Sequence, residues 1–256
     1  MKFKPFAVVL GLAALGACEK GPLRDITAPV SGARIKFFNF AVASPPVVNF
    51  YANDAKITAI LTSSGKESNI GTASGGVASG GFYSVIAPGA YTISGRIADT
   101  TDNGLSIASL PVTLADGKLY SFYMSGNYNA TSKTTESFVV EDVVPALPNP
   151  TLTYVRFVNA SANAAPMTLY AKNTVSLSEV AVDGAVAYRA AGAFITLPEG
   201  VYDLSTRLAA SSANAVARTG VSFLAGRVYT IAAFGDATVT SSTASNRIRL
   251  DNTLNR

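Results

Sequence analysis

The sequence predicts an all-β protein made of two tandem β-sandwich domains. Short segments, such as residues 91–97 and 228–232, alternate side chains with the two-residue period of a strand. Turn signals such as Pro88-Gly89 and Asn103-Gly104 separate these segments, and no convincing amphipathic helix follows residue 17. Frequent short strands over about 110 residues favour a sandwich, with a closed barrel as the alternative.

An internal repeat supports the division into two domains. The segment Arg34-Ile-Lys-Phe-Phe-Asn39 matches Tyr154-Val-Arg-Phe-Val-Asn159. Three further matches follow in the same order: residues 50–53 with 169–172, 87–93 with 198–204, and 114–120 with 224–229. Chance does not produce four ordered matches. We therefore predict domains at residues 33–144 and 151–256, joined by a proline-rich linker at 145–150.

The first strand of each predicted domain has a simple alternating pattern. Ile35 and Phe37 alternate with Lys36 and Phe38. Because successive side chains of a strand point to opposite faces, this pattern predicts half-buried strands. The later Pro-Gly-x-Tyr piece predicts a tight turn that feeds a strand whose Tyr91 packs inward.

The N-terminus has the order of a secretory signal. Lys2 and Lys4 precede an apolar run, residues 6–17, that ends in small residues before Cys18. This run is too short for a transmembrane helix, which needs about 20 apolar residues. We predict a signal peptide at residues 1–17 and an anchor and tether at residues 18–32.

Residues 15–18, Leu-Gly-Ala-Cys, resemble the lipobox of bacterial lipoproteins. The resemblance implies cleavage after Ala17, diacylglycerol on the Cys18 thiol and a further acyl chain, such as palmitate, on the new amino group. Several acyl chains on one residue hold a protein stably to a membrane. Glu19, rather than aspartate, follows the cysteine, which favours the outer membrane over the inner one. The alternative is a signal peptide followed by an incidental cysteine.

The opening strands of both copies resemble a known family. Arg34-Ile-Lys-Phe-Phe-Asn39 and Tyr154-Val-Arg-Phe-Val-Asn-Ala-Ser161 are similar to the first strand of DUF4397 domains, and the later Pro-Gly-x-Tyr and Gly-x-x-Tyr pieces are similar to later motifs of that family. Asn39 and Asn159 stand where many members have histidine. The resemblance implies two extracytoplasmic Ig-like β-sandwich modules, and it implies no established activity.

Composition excludes several kinds of chemistry. The chain has no histidine, and Cys18 is its only cysteine. Ser-His-Asp and Cys-His catalysis, histidine or thiolate metal sites, and disulfides are therefore ruled out.

Lys and Arg are scattered, and the net charge of +4 falls to +2 when Lys2 and Lys4 are removed with the signal peptide. We expect no cofactor and no nucleic-acid partner.

Three weak motifs have plain structural explanations. Ser63-Ser-Gly-Lys66 fits the S-x-x-K pattern of penicillin-interacting enzymes, but the accompanying S-D-N and K-T-G elements are missing. Asp99, Asp102 and Asn103 offer oxygen ligands for calcium without EF-hand spacing, so a solvated turn is preferred. The glycine-rich residues 71–81 lack a phosphate-loop lysine and predict a mobile loop.

Two further features bear on binding. Tyr123 and Tyr128, if exposed together, would suit stacking on a sugar or a partner protein, although the crowded stretch Tyr120–Tyr128 favours a core and rim role. Residues 33–144 carry a net charge of −1, whereas residues 151–256 carry +3 with eight arginines. We therefore expect the second domain to make any contact with an anionic partner.

The sequence favours a non-enzymatic function. The leading hypothesis is a lipid-anchored cell-envelope module that binds or adheres to a protein or glycan partner. The alternative is a structural subunit of an envelope assembly without a ligand of its own. A carboxylate-based hydrolase is the third hypothesis, because strands can bring distant acids together.

Overall fold

A computed structural model of the chain describes residues 31–58, 70–145, 149–209 and 211–256. Within these ranges the secondary structure consists of strands and one short 3-10 turn, Ala78–Gly81, and no α-helix occurs. The prediction of an all-β protein is confirmed. The predicted signal peptide and most of the tether lie outside the described residues, as do positions 146–148 of the predicted linker.

The first half of the described chain contains nine strands, which form two sheets. Their bounds are β1 Ala33–Asn39, β2 Val48–Ala52, β3 Ala55–Lys56, β4 Gly76–Val77, β5 Ser84–Ile86, β6 Gly89–Ile97, β7 Ser106–Leu114, β8 Leu119–Asn129 and β9 Thr134–Glu141. One sheet has the order β4-β1-β8-β9, with β5 also paired to β1. The other has the order β3-β2-β6-β7.

The second half repeats this arrangement. Its strands are β10 Leu152–Ala162, β11 Met167–Asn173, β12 Glu179–Val186, β13 Ala190–Ala191, β14 Ile195–Pro198, β15 Gly200–Leu208, β16 Asn214–Phe223, β17 Val228–Asp236 and β18 Arg249–Leu254. The sheet orders are β13-β10-β17-β18, with β14 paired to β10, and β12-β11-β15-β16. In both halves the first strand runs parallel to its long neighbour, β1 to β8 and β10 to β17.

Three hydrophobic clusters show how the sheets are layered. One cluster, which includes Phe37, Phe50 and Ile93, lies between the two sheets of the first half. A second, which includes Phe157 and Leu204, lies between the two sheets of the second half. Each half is therefore a β-sandwich rather than a closed barrel, as the sequence predicted. A third cluster joins the two halves, and Ser31–Arg256 form one compact unit.

The sheets that meet at the third cluster are called the inner sheets here, and the other two the outer sheets. The inner sheets contain β1 and β10, and in these strands the prediction of half-burial is wrong. Phe37 and Phe157 face the sandwich cores, as expected, but Lys36 is only 1% exposed and Arg156 only 2% exposed. The supposed outer face is buried because the other half of the molecule covers it.

The paired asparagines of the first strands have a structural role. Asn39 Nδ2 donates to the carbonyl of Thr72 at 2.8 Å, and Asn159 Nδ2 donates to the carbonyl of Val186 at 3.1 Å. Both side chains are fully buried. Through this donated hydrogen bond each asparagine fixes the segment that leads into the short edge strand beside it, β4 or β13.

The repeated tyrosines close equivalent turns. Tyr91 Oη donates to the carbonyl of Ala87 at 2.9 Å, and Tyr202 Oη donates to the carbonyl of Pro198 at 2.8 Å. Tyr202 is buried, and Tyr91 is half-buried against the first core, so the inward packing predicted for Tyr91 is confirmed. The glycine within each turn has a positive φ, 154° at Gly89 and 152° at Gly200, which other residues rarely adopt.

The glycine-rich segment differs from its prediction as a loop. Gly76 and Val77 form β4 and pair with Asn39 and Phe38. Thr72 also bridges to Val48. The segment therefore covers the edge of β1, because its small residues let the backbone approach that strand closely.

Candidate functional site

The contact between the two inner sheets is the most distinctive feature of the molecule, and it is called the seam below. Its apolar part consists of aromatic and small side chains from both halves: Phe38, Phe40, Tyr123, Phe138, Val158, Ala160, Ala232 and Phe234. Phe40 stacks on Phe234 across the seam, with ring centroids 4.4 Å apart. Stacked aromatic pairs at this spacing contribute about 0.5–1.5 kcal/mol beyond the area that they bury.

A buried ion pair crosses the seam beside these rings. Arg156, on β10, binds Asp142, which follows β9, and both side chains are almost completely inaccessible to solvent. Arg156 also donates from Nη1 to the carbonyl of Glu141 at 3.2 Å and from Nε to Thr230 Oγ1 at 3.0 Å. Phe194 lies under the guanidinium, 4.8 Å from it. The charge is therefore paired and each of the three nitrogens donates a hydrogen bond, as burial requires.

The carboxylate of Asp142 has further partners from its own half. Tyr83 Oη donates to it at 2.6 Å and Ser121 Oγ at 2.8 Å. Asn255, from the last residues of the second half, donates to Tyr83 Oη at 2.8 Å and accepts from Thr230 Oγ1 at 2.7 Å. The residues of this seam network are Lys36, Tyr83, Ser121, Asp142, Arg156, Thr230 and Asn255. Hydrogen bonds thus run continuously from one half to the other.

Lys36 is the second buried cation of the seam network. Its Nζ donates to the carbonyl of Leu254 in the other half and lies 4.3 Å from the centre of the Tyr83 ring. Burial lowers the pKa of Lys36 from its ordinary value to about 8; Asp142 and Asp251 oppose this change, and Arg156 adds to it. Burial and the neighbouring Asp142 raise the pKa of Tyr83, which therefore stays protonated as a donor.

The two cations occupy equivalent positions in the two halves. Strand registers pair Lys36 with Ser121 and Arg156 with Thr230. Tyr120 pairs with Glu141 just as Tyr229 pairs with Leu254, so the two carbonyls that accept from these cations are also equivalent. Each half therefore places the basic residue of its first strand against the last strand of the other half. The seam is a pseudo-two-fold interface within one chain.

A recess opens beside Lys36. Its volume is about 450 Å³, and it lies between residues 77–83 of the first half and residues 251–256 of the second. Tyr83 forms part of its wall, and Phe82 is 77% exposed there. Three of its polar lining residues, Lys36, Tyr83 and Asn255, are already hydrogen-bonded within the seam network.

Several residues singled out in the sequence lie outside the described residues. Cys18 and Ala17 belong to this group, as do Ser63 and Lys66 of the S-x-x-K pattern. The expectations of cleavage and lipidation therefore stay predictions.

The calcium candidates lie in the turn between β6 and β7. Asp99 Oδ1 accepts from the backbone N–H of Thr100 at 2.6 Å, and Asp102 pairs with Lys133 at 2.5 Å. Asp102 has φ = 57°, and its carbonyl accepts from the backbone N–H of Leu105 at 2.9 Å. This geometry is that of a hydrogen-bonded turn whose carboxylates already have partners. Across residues 31–58, 70–145, 149–209 and 211–256, no group of three or more acidic, His or Cys side chains is arranged to hold a metal.

The aromatic stretch around Tyr123 has a packing role. Tyr123 is completely buried in the seam and stacks on Phe38 and Phe138, with ring centroids 4.5 and 5.0 Å away. Phe122 is buried in the first core, where Tyr128 packs at the edge. Tyr123 and Tyr128 are therefore not exposed together, and the structural interpretation of this stretch is confirmed.

The contacts of Asp142, Arg156 and Lys36 across the seam were not predicted from the sequence. A signal was present, because Lys36 and Arg156 fall at the same position of the repeated first strand. In both strands this basic residue lies between two apolar residues that face the sandwich core, which indicates that the two positions have equivalent surroundings. The identity of the partner could not be found in this way, since Asp142 lies outside the four repeated motifs.

The architecture is that of an Ig-like β-sandwich protein with two inner sheets packed face to face. Residues 153–250, which lie within the second half, match the family described as a domain of unknown function, DUF4397. A search of the curated proteins found no match to the chain.

Among solved structures, one match is a Bacteroides ovatus protein that is provisionally described as a cell adhesion protein. The two chains are 13% identical over 87% of this chain and 95% of the other, with a TM-score of 0.23. A likeness at that score does not bear on function. Among the described residues, no helix is long and apolar enough to cross a membrane.

We expect the variant Arg156→Met to lower the free energy of unfolding by about 3–5 kcal/mol, because it leaves Asp142 charged and unpaired in the seam. Chemical denaturation of the full chain at pH 7 measures this loss. Arg207→Met is a matched control, since Arg207 pairs with Glu179 at 2.7 Å on the surface; its cost should stay below about 1 kcal/mol. Equal costs for both variants would show that the buried pair does not hold the seam.

We expect Lys36 to make stability depend on pH in the alkaline range. The folded state, with a pKa of about 8, loses this proton before the unfolded chain does, so the free energy of unfolding rises between about pH 8 and 10. The gain is lost progressively as the pH falls from about 10 to 8, and none of it remains below the folded-state pKa. Lys36→Met should remove a rise of roughly 2–3 kcal/mol between pH 7 and 10.

Denaturation of wild type and variant at each pH gives this difference directly. Lys118→Met is the control, because Lys118 forms an exposed pair with Glu141, which raises its pKa instead. If the free energy of unfolding depends on pH in the same way for the wild type and for Lys36→Met, the pKa of Lys36 is not lowered.

Proposed function

We propose that this protein is a lipid-anchored, non-catalytic binding module of the cell envelope. In this proposal two tandem DUF4397-type sandwiches, at residues 33–144 and 151–256, act as one rigid body that binds a protein or glycan partner. A tether at residues 18–32 connects this body to lipid on Cys18. Export and lipidation are supported by the signal-like N-terminus and its lipobox resemblance.

One observation carries the binding function. An apolar recess of about 430 Å³ lies at the end of the second half, between the β11–β12 turn and the β14–β15 turn. Val175 at its rim is 89% exposed, and Val180 and Val201 are 38% and 40% exposed. Exposed apolar side chains grouped around a recess favour a binding surface over a solvated loop.

The rigid seam supports the same proposal. Two sandwiches locked face to face present their outer surfaces in a fixed relation, which lowers the entropy that a partner must overcome on binding. The non-catalytic part of the proposal rests on composition. The chain has no histidine, and its single cysteine is Cys18, which the proposal assigns to lipid.

We expect the full chain to incorporate palmitate and to fractionate with the outer membrane, and we expect Cys18→Ser to lose both properties. Metabolic labelling and membrane fractionation of cells producing each form are the measurements. Protease treatment of whole cells then reports the side of the membrane. Labelled protein that is digested faces the outside, as a partner-binding surface protein requires. Labelled protein that is protected instead favours a subunit of an envelope assembly. Unlabelled wild-type protein would contradict the anchor.

We expect Val175→Lys to weaken binding of the purified, fluorescently labelled chain to whole cells that lack the gene by at least tenfold. An ammonium at the rim would have to be desolvated against an apolar partner surface. Val85→Lys is a matched control, because Val85 is also exposed, at 55%, but lies on β5 of the first half. If both variants bind cells equally weakly or equally strongly, the recess between the β11–β12 and β14–β15 turns is not part of the binding interface.

A further inference from the structure

The two ends of the seam are equivalent by the internal repeat but differ in structure. At one end Glu136, on β9, lies beside Tyr188 and Arg189 of the other half. Tyr188 Oη donates to Glu136 Oε2 at 2.8 Å and is 3.0 Å from Ser125 Oγ. Arg189 Nη1 lies 3.7 Å from the same carboxylate oxygen. A carboxylate, a phenol and a guanidinium therefore close this end.

Strand register identifies the residues at the opposite end. Ser125 pairs with Glu136 in the first half, and Phe234 pairs with Arg249 in the second, so Arg249 takes the place of Glu136. The N–H of Arg189 donates to the carbonyl of Asn159, and the N–H of Gly75 donates to the carbonyl of Asn39, both at 2.7 Å. Gly75 therefore takes the place of Arg189.

By the same register Ser74 takes the place of Tyr188. Two large side chains at the closed end thus correspond to two small ones at this end, and an acid corresponds to a base. The result is a recess of about 270 Å³, called the seam-end recess below. Its lining comes from both halves and comprises Val42, Ala43, Ser44, Pro45, Ser74, Ser245, Asn246 and Arg249.

Arg249 lacks an anionic partner. No carboxylate forms an ion pair with it among the residues that the structure describes, and its Nε is buried without an acceptor. Its Nη2 donates to the carbonyl of Ser245 at 3.0 Å, and the ring of Phe234 lies 4.9 Å from the guanidinium. Burial and the nearby Arg247 both lower the pKa of Arg249. The guanidinium is thus held in place by neutral groups, and the nearby charge that acts on its pKa is another cation, Arg247.

The rest of the lining suits a polar ligand. Ser74 Oγ donates to the carbonyl of Ala41 at 2.6 Å, which fixes this side chain. The side chains of Ser44, Ser245 and Asn246 form no hydrogen bond within the part of the chain that the structure describes, so their polar groups are available to a ligand. Ala43 and Ser44 have φ values of 63° and 56°. Successive non-glycine residues in this region are strained, and such strain is concentrated at functional sites.

We propose that the seam-end recess binds an oxyanion, the carboxylate or phosphate group of a ligand, with Arg249 as its charged donor. In this recess the oxyanion supplies the negative charge that the Glu136 carboxylate supplies at the closed end. Arginine suits this role because its planar group donates two parallel hydrogen bonds to such anions. The biological role of this site rests on the proposed binding function. The site adds to that function the chemical class of one group of the ligand. It also lies in part on the arginine-rich second half.

The test is an NMR titration of the purified full chain at constant ionic strength. Inorganic phosphate and acetate are the probes, and chloride is the reference ion. We expect saturable shifts of the Arg249 Nε–H and of the backbone amides of residues 244–249. Saturation by phosphate alone indicates a phosphate-bearing ligand, and saturation by acetate as well indicates a carboxylate-bearing one. Shifts that chloride reproduces equally, or that do not saturate with either probe, would overturn the proposal.

Arg249→Gln should weaken binding of the effective anion at least tenfold. Arg207→Gln is the matched control and should bind it as the wild type does, since Arg207 already pairs with Glu179. A second variant, Ser74→Tyr with Arg249→Glu, introduces the tyrosine and the carboxylate of the closed end and should remove the response while the chain still unfolds cooperatively. An unchanged anion affinity in Arg249→Gln refutes the site.

The whole-cell binding assay separates the two proposals. A chain that binds cells but shows no anion response retains the proposed function and loses the seam-end site. A chain that binds the anion through Arg249 but does not bind cells retains the site and loses the proposed function. Both assays use the same purified protein.

Discussion

The ion pair between Arg156 and Asp142 is the interaction on which the rest of the architecture depends. Neither charge can be exposed to water without separating the inner sheets, and neither can lose its partner without a large energetic cost. Hydrophobic contact alone tolerates sliding, whereas a buried guanidinium accepts only a narrow set of positions for its acceptors. The aromatic stack of Phe40 on Phe234 adds cohesion, and the ion pair sets the register.

The fold could largely be predicted from the sequence, because strand alternation and turn residues act locally. The repeat added the correspondence of residues such as Asn39 and Asn159. The burial of Lys36 could not be predicted in the same way. Periodicity shows which side chains share a face of a strand, but not what covers that face. A lysine that alternates with core residues normally indicates a solvent-facing position, and here the second half of the chain takes the place of solvent.

The candidate sites were harder to predict for a related reason. The first strands of the two halves are 120 residues apart, at Lys36 and Arg156, whereas the last strands are 113 apart, at Glu136 and Arg249. Loops of different length hide the second correspondence until the strand registers are known. The replacement of an acid by a base, which distinguishes the two ends of the seam, therefore emerges only from the three-dimensional pairing.

The internal pseudo-symmetry of the seam also has a consequence for ancestry. A protein with a single copy of this sandwich would leave the aromatic face around Phe38 and Phe40 uncovered. A homodimer is the simplest arrangement that covers this face, because the same face of two identical chains then meets about a two-fold axis. In such a dimer every change is made twice, so both ends of the contact must stay alike. Fusion of the two copies into one gene removes that restriction and lets one end evolve independently of the other.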